Sequence, residues 1–337
     1  MLLAFGVTAV AAVLLWPDRD AAGDRGASAA ASTSAATETA TDAIGPDAAA
    51  DETAGTVASV EPPVLDPAQV DAYAVGPAPA PAPVRPRLKQ PPAAGIVFDV
   101  DSGEVLWARN PGRERPIASL TKMMTALLIA ERHRPRERVL ISAKAPGVEG
   151  SRIGVLKPGR RVPLDGLFLG LLLASGNDAA VALAEHDAGT VGAFVKRMNR
   201  RAEEMGLGCT RFAGPAGLQD TGNASCAYDL AGLARAALAN DWVASVTGRR
   251  SAEVPFPTKG GTLSLANNHY FAQRGIAGVP RAEVTGLKTG LTNGAGRCYV
   301  TTARLGKRHL GVVLLDSPDP LRQVPLLLRA GFRAEEA

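Results

Sequence analysis

The sequence predicts an α+β domain in which segments near both ends build one antiparallel sheet and the middle forms a helical subdomain. Three observations predict it. Two short strand-like runs open the ordered part, a long stretch of helical patterning follows, and a block of strand-like runs with one last helix closes it.

The elements follow in order. GIVFDV (95–100) and EVLWAR (104–109) are strand-like and joined by Asp101-Ser102-Gly103, a good hairpin connection. Leu120 to Arg132 is apolar on nearly every side, which predicts a central, buried helix stopped by Pro135. From 142 to 166 the chain is rich in Gly and Pro and reads as irregular. LDGLFLGLLLASGNDAAVALAEH (164–186) holds two helical runs broken around Ala174-Ser175-Gly176-Asn177. VGAFVKRMNRRAEEMG (191–206) is an amphipathic helix ended by Gly206, and AYDLAGLARAALA (227–239) is another helix. EVTGLKTGLT, CYVTTARL and HLGVVLLD alternate or run apolar like strands of one sheet. LRQVPLLLRAGF reads as a closing helix interrupted by Pro325.

Ahead of this lies a different composition. Residues 17–90 contain one aromatic, Tyr73, and carry 5 Lys/Arg against 11 Asp/Glu, whereas 91–337 carry 32 against 22. A segment of that kind has too little apolar surface to offset the entropy of ordering it, so 17–92 is expected to be a disordered tether. Its PAPAPAP stretch (77–83) should run extended and semi-stiff. The first sixteen residues are continuously apolar, short for a spanning helix and about right for a secretory signal, although no Lys or Arg precedes them. They read as a signal or membrane anchor, and residues 333–337 as a tail.

The basic remainder suits an anionic neighbourhood such as wall polymers or lipid headgroups, or is simply a solvated surface. There is no basic stripe interleaved with aromatics and no finger or helix-turn-helix signature, so nucleic acid is not expected. The four histidines (His133, His186, His269, His309) are scattered without an H-E-x-x-H, and no C-x-x-C occurs, so neither a metallopeptidase nor a zinc ribbon is expected.

Three short motifs carry chemistry. Ser119-Leu120-Thr121-Lys122 places a hydroxyl and an amine on one helix face, where a lysine of lowered pKa can act as base for a serine nucleophile. Read alone it is a helix cap with a lysine reaching for solvent. Ser175-Gly176-Asn177 puts polar groups into an apolar helical run, either as a capping turn or as a pair aimed into a cleft. Lys288-Thr289-Gly290 lies in a strand-like run, where Lys288 suits a carboxylate, Thr289 adds a hydroxyl, and the small Gly290 lets another chain lie alongside. The plain alternative is an edge lysine that discourages aggregation. Each motif is cheap alone. Each occurs once, in this order, 56 and 113 residues apart.

That trio and its flanks, PIASLTKMMTALLIAE, LLLASGNDAAVALAEH and GLKTGLTNGAGRCYVTTA, resemble the low-molecular-mass penicillin-binding proteins, the serine D-alanyl-D-alanine carboxypeptidases. FVKRMNRRAEEMGL, TRFAGPAGL and AYDLAGLA extend the resemblance over about 93–332. It implies a β-lactamase/transpeptidase-like fold and a catalytic domain over 93–332. By the resemblance Ser119 is the nucleophile, Lys122 its general base, Ser175 the proton shuttle and Asn177 a ligand for the substrate amide. Lys288 and Thr289 would bind the terminal carboxylate, and the backbone N–H groups of Ser119 and Leu291 would form the oxyanion hole; relatives commonly carry an aromatic residue or His at position 291. The implied partners are peptidoglycan stem peptides ending in D-Ala-D-Ala, β-lactams as covalent inhibitors, and the membrane through the N-terminal segment. No metal or cofactor is implied, and the place of work is outside the cytoplasm. Relatives often add a β-rich domain and a C-terminal anchor after this point, a role the N-terminal run would take over here.

Alternatives within the fold are a D,D-endopeptidase and a class A β-lactamase. The latter needs a Glu about 35 residues after S-x-N, and the segment RFAGPAGL supplies no acid. A non-catalytic wall-binding or β-lactam-sensing protein is the alternative of another class. Cys209 and Cys226 flank a turn-rich segment and are candidates for a disulfide, against three buried free thiols; Cys298 reads as a buried, unpaired small hydrophobe.

Overall fold

The computed structural model describes residues 72–334. The predicted hairpin is present as β1 (Ala94–Asp99) and β2 (Val105–Arg109). A short strand β3 (Arg115–Pro116) leads into a 3-10 turn (Ala118–Thr121) and then α1 (Lys122–Arg132). A short strand β4 (Arg138–Leu140) precedes the stretch read as irregular and pairs with β5 (Arg161–Pro163) inside it. The apolar run beyond it splits as expected into α2 (Leu164–Leu172) and α3 (Asn177–Ala188). Next come α4 (Val191–Glu204), β6 (Ala224–Ser225) and α5 (Ala227–Ala239).

Between 240 and 280 lie elements that the sequence patterns did not reveal. Helix α6 (Asp241–Thr247) begins at Asn240, whose side chain caps the N–H groups of Trp242 and Val243. A hairpin of β7 (Ser251–Pro255) and β8 (Thr262–Ala266) and a one-turn helix α7 (Tyr270–Arg274) follow. The chain closes with β9 (Glu283–Thr292), β10 (Gly296–Leu305), β11 (Arg308–Leu315) and α8 (Pro320–Arg333). Helix α8 runs through Pro325 rather than breaking there, because the hydrogen bond that proline forfeits is the one to Leu321 in the first turn.

The five long strands form one sheet in the order β2-β1-β11-β10-β9, antiparallel at every pairing. Both faces are covered. One core joins Ile96, Phe98, Val300 and Val313 to the buried faces of α1 to α5, and a second joins Val97, Tyr299, Val312 and Leu314 to α8. Helix α1 is the hub of the helical side, with Met123, Met124, Ala126 and Ile129 fully buried.

The end of the expected tether is packed. Residues 72–92 run along the domain: Val84 is buried, Tyr73 and Val75 pack on the main core, and Pro92 is buried. Backbone bonds tie Gly76 to Gly103 and Val84 to Leu106, and Arg235 donates to the Ala74 carbonyl. A few apolar anchors on an extended, proline-stiffened strand suffice, because such a chain loses little entropy on docking. Residues 72–92, expected to belong to the tether, are thus packed on the domain. The rest of the segment expected to be a tether, the N-terminal apolar run and residues 335–337 lie outside the described residues.

Cys209 and Cys226 form a disulfide with Cα atoms 5.6 Å apart, and Cys298 is free and buried.

Candidate active site

The site is assembled where α1 and α3 begin, against the edge strand β9. Ile117-Ala118-Ser119 enters the 3-10 turn with Ala118 at φ 48°, a left-handed conformation unfavourable for alanine. That twist sets Ser119 at the mouth of α1, and Lys122 follows as the first α-helical residue. Lys122 Nζ reaches back 3.0 Å to Ser119 Oγ. The same nitrogen stands 2.7 Å from Asn177 Oδ1 and 2.7 Å from the carbonyl oxygen of Ala216. Lys122 is completely buried.

An ammonium has three donors, and here three acceptors meet it. A neutral amine has two donors and one lone pair. With the two donors held by Asn177 Oδ1 and the Ala216 carbonyl, the lone pair faces the Ser119 hydroxyl. Electrostatics favours that neutral form: burial and then the charge of Lys288 lower the Lys122 pKa well below its usual value, with Asp178 opposing. Lys288 is itself buried, on β9 opposite Val300, and burial lowers its pKa to about 7. Its Nζ donates 2.9 Å to the Thr289 carbonyl.

Each residue singled out in the sequence has a definite place. Ser175 sits in the α2–α3 connection at φ 58°, almost wholly buried, two residues from Asn177. Among the described residues it makes no hydrogen bond to Ser119 or Lys122. The Asn177 amide, expected to face substrate, is engaged at both ends inside the protein, since Nδ2 donates 2.7 Å to the Glu149 carbonyl. Gly290 lies close against a neighbouring segment. A β-carbon there would lie 2.9 Å from Ser119 N and 3.0 Å from Ala118 Cβ, so the chain alongside is the protein's own serine turn. Thr289 is half-buried next to it, and Leu291 is 54% exposed on the open edge of the sheet.

Three contributors escaped the sequence reading. The segment 214–217 closes the back of the site: Pro215 and Ala216 present carbonyls to Thr125 and Lys122, and a β-carbon on Gly217 would collide with the Ala118 carbonyl at 1.9 Å. Asp178 is buried and accepts from the backbone of Ile153 and Gly154, pinning the loop before α2 to the start of α3. Asp220, just beyond that segment, takes the Thr292 hydroxyl and the Gly294 N–H on its two oxygens. It anchors the β9–β10 turn, a bonding pattern unlike that of an acid poised over water. Asp178 was visible as an acid in the first turn of a helix; a backbone carbonyl leaves no trace in sequence.

The D-alanyl-D-alanine carboxypeptidase family model matches residues 86–319, which span the sheet, all three motifs and the helices between them. The chain belongs to this family. Among curated relatives, a D-alanyl-D-alanine carboxypeptidase of Bacillus subtilis is 33% identical over 238 residues, covering 67% of this chain and 58% of that protein. The chain thus spans little more than half the length of that relative. A D-alanyl-D-alanine endopeptidase of Pseudomonas aeruginosa is 32% identical over 237 residues, covering 68% of this chain and 73% of that protein. In three dimensions the chain is similar to a D-alanyl-D-alanine carboxypeptidase of Mycobacterium tuberculosis, with TM-score 0.68, 33% identity and coverage of 76% of this chain and 96% of that one. The low-molecular-mass penicillin-binding protein resemblance and the antiparallel α+β fold expected from sequence both hold.

Proposed function

We propose that this chain is a serine D-alanyl-D-alanine carboxypeptidase that removes the terminal D-alanine from peptidoglycan stem peptides through an acyl-enzyme on Ser119. The observation that carries this reading is the Lys122 amine, 3.0 Å from Ser119 Oγ and held by Asn177 and Ala216 so that a neutral nitrogen turns its lone pair to the hydroxyl.

In the first half-reaction Lys122 takes the hydroxyl proton as Ser119 Oγ bonds to the carbonyl carbon of the penultimate D-alanine. Negative charge then develops on the carbonyl oxygen, where the N–H groups of Ser119 and Leu291 receive it. The C–N bond breaks and the proton on Lys122 passes to the departing amine, with Ser175 as the relay. Lys288, with Thr289, holds the carboxylate of the leaving residue. In the second half Lys122 takes a proton from water, the resulting C–O bond forms, and Ser119 leaves with that proton. Asn177 sets the Lys122 amine and borders the substrate backbone. A β-lactam enters by the same first step and stays as the ester.

The protein would work outside the cytoplasm, tethered by its N-terminal region. A second reading, D,D-endopeptidase, is favoured by the Pseudomonas aeruginosa relative at nearly the same identity. Quantifying D-alanine released from a stem pentapeptide against cleavage of a cross-linked dimer separates the two. Faster turnover of the pentapeptide supports the carboxypeptidase; cleavage of the dimer alone replaces it.

A further inference from the structure

At the far ends of the helices that carry Lys122 and Asn177, three side chains from distant parts of the sequence converge. His133 ends α1, Glu137 follows in the next turn, and His186 lies in the last turn of α3. His133 Nδ1 is 2.8 Å and His186 Nε2 3.1 Å from the same oxygen, Glu137 Oε2. The three donor atoms lie within 4.8 Å of one another, and all three side chains reach the surface. We propose that His133 Nδ1, His186 Nε2 and Glu137 Oε2 bind a divalent transition-metal ion, zinc by best fit. Two imidazoles and a carboxylate are a zinc donor set that leaves the fourth position to water. Around zinc such atoms stand about 3.4 Å apart, so the cluster opens by about half an ångström to admit it.

The surroundings supply what a metal-bound histidine needs. His133 Nε2 is 3.0 Å from Asp187 Oδ1, a carboxylate wholly removed from solvent. Asp187 is itself fixed by Arg132 at 2.7 Å and Arg197 at 2.5 Å. A carboxylate on one ring nitrogen orients the imidazole and leaves the other for the ion. The Glu137 Oε1 oxygen is held by the Arg134 N–H at 2.6 Å. The ion takes the place of the protons now shared between the two rings and Glu137, so binding releases protons. The charged groups facing the His133 ring are Glu137, Asp187, Arg132 and Arg197, and the two arginines are paired with Asp187. A bound ion would clamp α1 to α3 about 21 Å from the serine, counted along the chain axis from residue 119 to residue 133.

The test is calorimetric titration of zinc chloride into the untagged full chain at pH 7.5, beside His186→Ala and Glu137→Gln, with cobalt(II) absorption reporting the ligand set. One ion per chain with a dissociation constant in the micromolar range, at least a tenfold loss in each variant, and a melting temperature raised by about 5 °C with excess zinc are expected. Near-ultraviolet circular dichroism checks that the variants fold, and His186→Gln replaces any that does not. Equal affinity in wild type and variants overturns the proposal, as does a melting temperature that follows pH and ignores zinc.

Discussion

Lys122 Nζ and Asn177 Oδ1 stand 2.7 Å apart across 55 residues of sequence, joining the first residues of two helices at one buried amine. The amide thereby decides where the amine points. Asn177→Ala removes one of the two acceptors that aim the lone pair and leaves the Glu149 carbonyl without its donor. The expected result is a loss of about a hundredfold in kcat for D-alanine release, with β-lactam acylation slowed in parallel. Stopped-flow acylation checks it. Unchanged acylation would mean that Asn177 does not position Lys122.

The two buried lysines set opposite pH limbs. Lys122 must be neutral to accept a proton, so activity rises with pH through its lowered pKa. Lys288 must be charged to hold a carboxylate, and its charged fraction falls above about 7 in the free enzyme. The profile of kcat/KM is expected to fall about tenfold per pH unit beyond that point, and the kcat profile to fall later because bound carboxylate favours the ammonium. Lys288→Arg should remove the alkaline limb. Lys288→Ala should weaken peptides with a free carboxylate by about 1.5–3 kcal/mol more than amidated ones. An alkaline limb kept in Lys288→Arg assigns it to another group.

A chain begun at residue 72 should melt like the full-length protein, whereas one begun at 93 should not. The second loses Val84, the packing of Tyr73 and Val75, and the Ala74 carbonyl that receives Arg235. Burial of that size stabilises by about 3 kcal/mol, or roughly 6–10 °C in melting temperature. Equal melting of the two would show that 72–92 merely rests on the surface.

The disulfide between Cys209 and Cys226 closes the segment that supplies the Pro215 and Ala216 carbonyls. A paired Cys209→Ser, Cys226→Ala change should cost about 3 kcal/mol on the loop-entropy account, seen as an earlier thermal transition. It should also lower kcat, because the acceptor for Lys122 loosens. Non-reducing peptide mapping of exported protein checks the bridge directly, and alkylation of both thiols without reductant would remove it. Cys298 should stay unmodified in folded protein, since burial raises its pKa to about 12.

Much of this architecture is legible in sequence where one pattern has one physical cause. The 3.6-residue period of 227–239 gives α5 residue for residue, and the apolar alternation of 283–292 gives β9. The S-x-x-K spacing gives the contact from Lys122 to Ser119, because residues three apart share a helix face. The hairpin β7–β8 was hidden because its exposed positions carry Ser, Thr and Glu and its burial is partial. The docked stretch 72–92 was hidden because composition averages over a few anchors. The Ala216 carbonyl, the twist at Ala118 and the convergence of His133 with His186 are products of tertiary folding, and no local pattern encodes them.

The central claim is that Ser119, activated by Lys122, becomes the acyl-ester. Intact-mass spectrometry after incubation with a penicillin, followed by peptide mapping, tests it most directly. The account predicts one adduct per chain on Ser119 in the wild-type protein, and neither adduct nor D-alanine release in Ser119→Ala. An adduct that persists in Ser119→Ala, or maps to another residue, would contradict it.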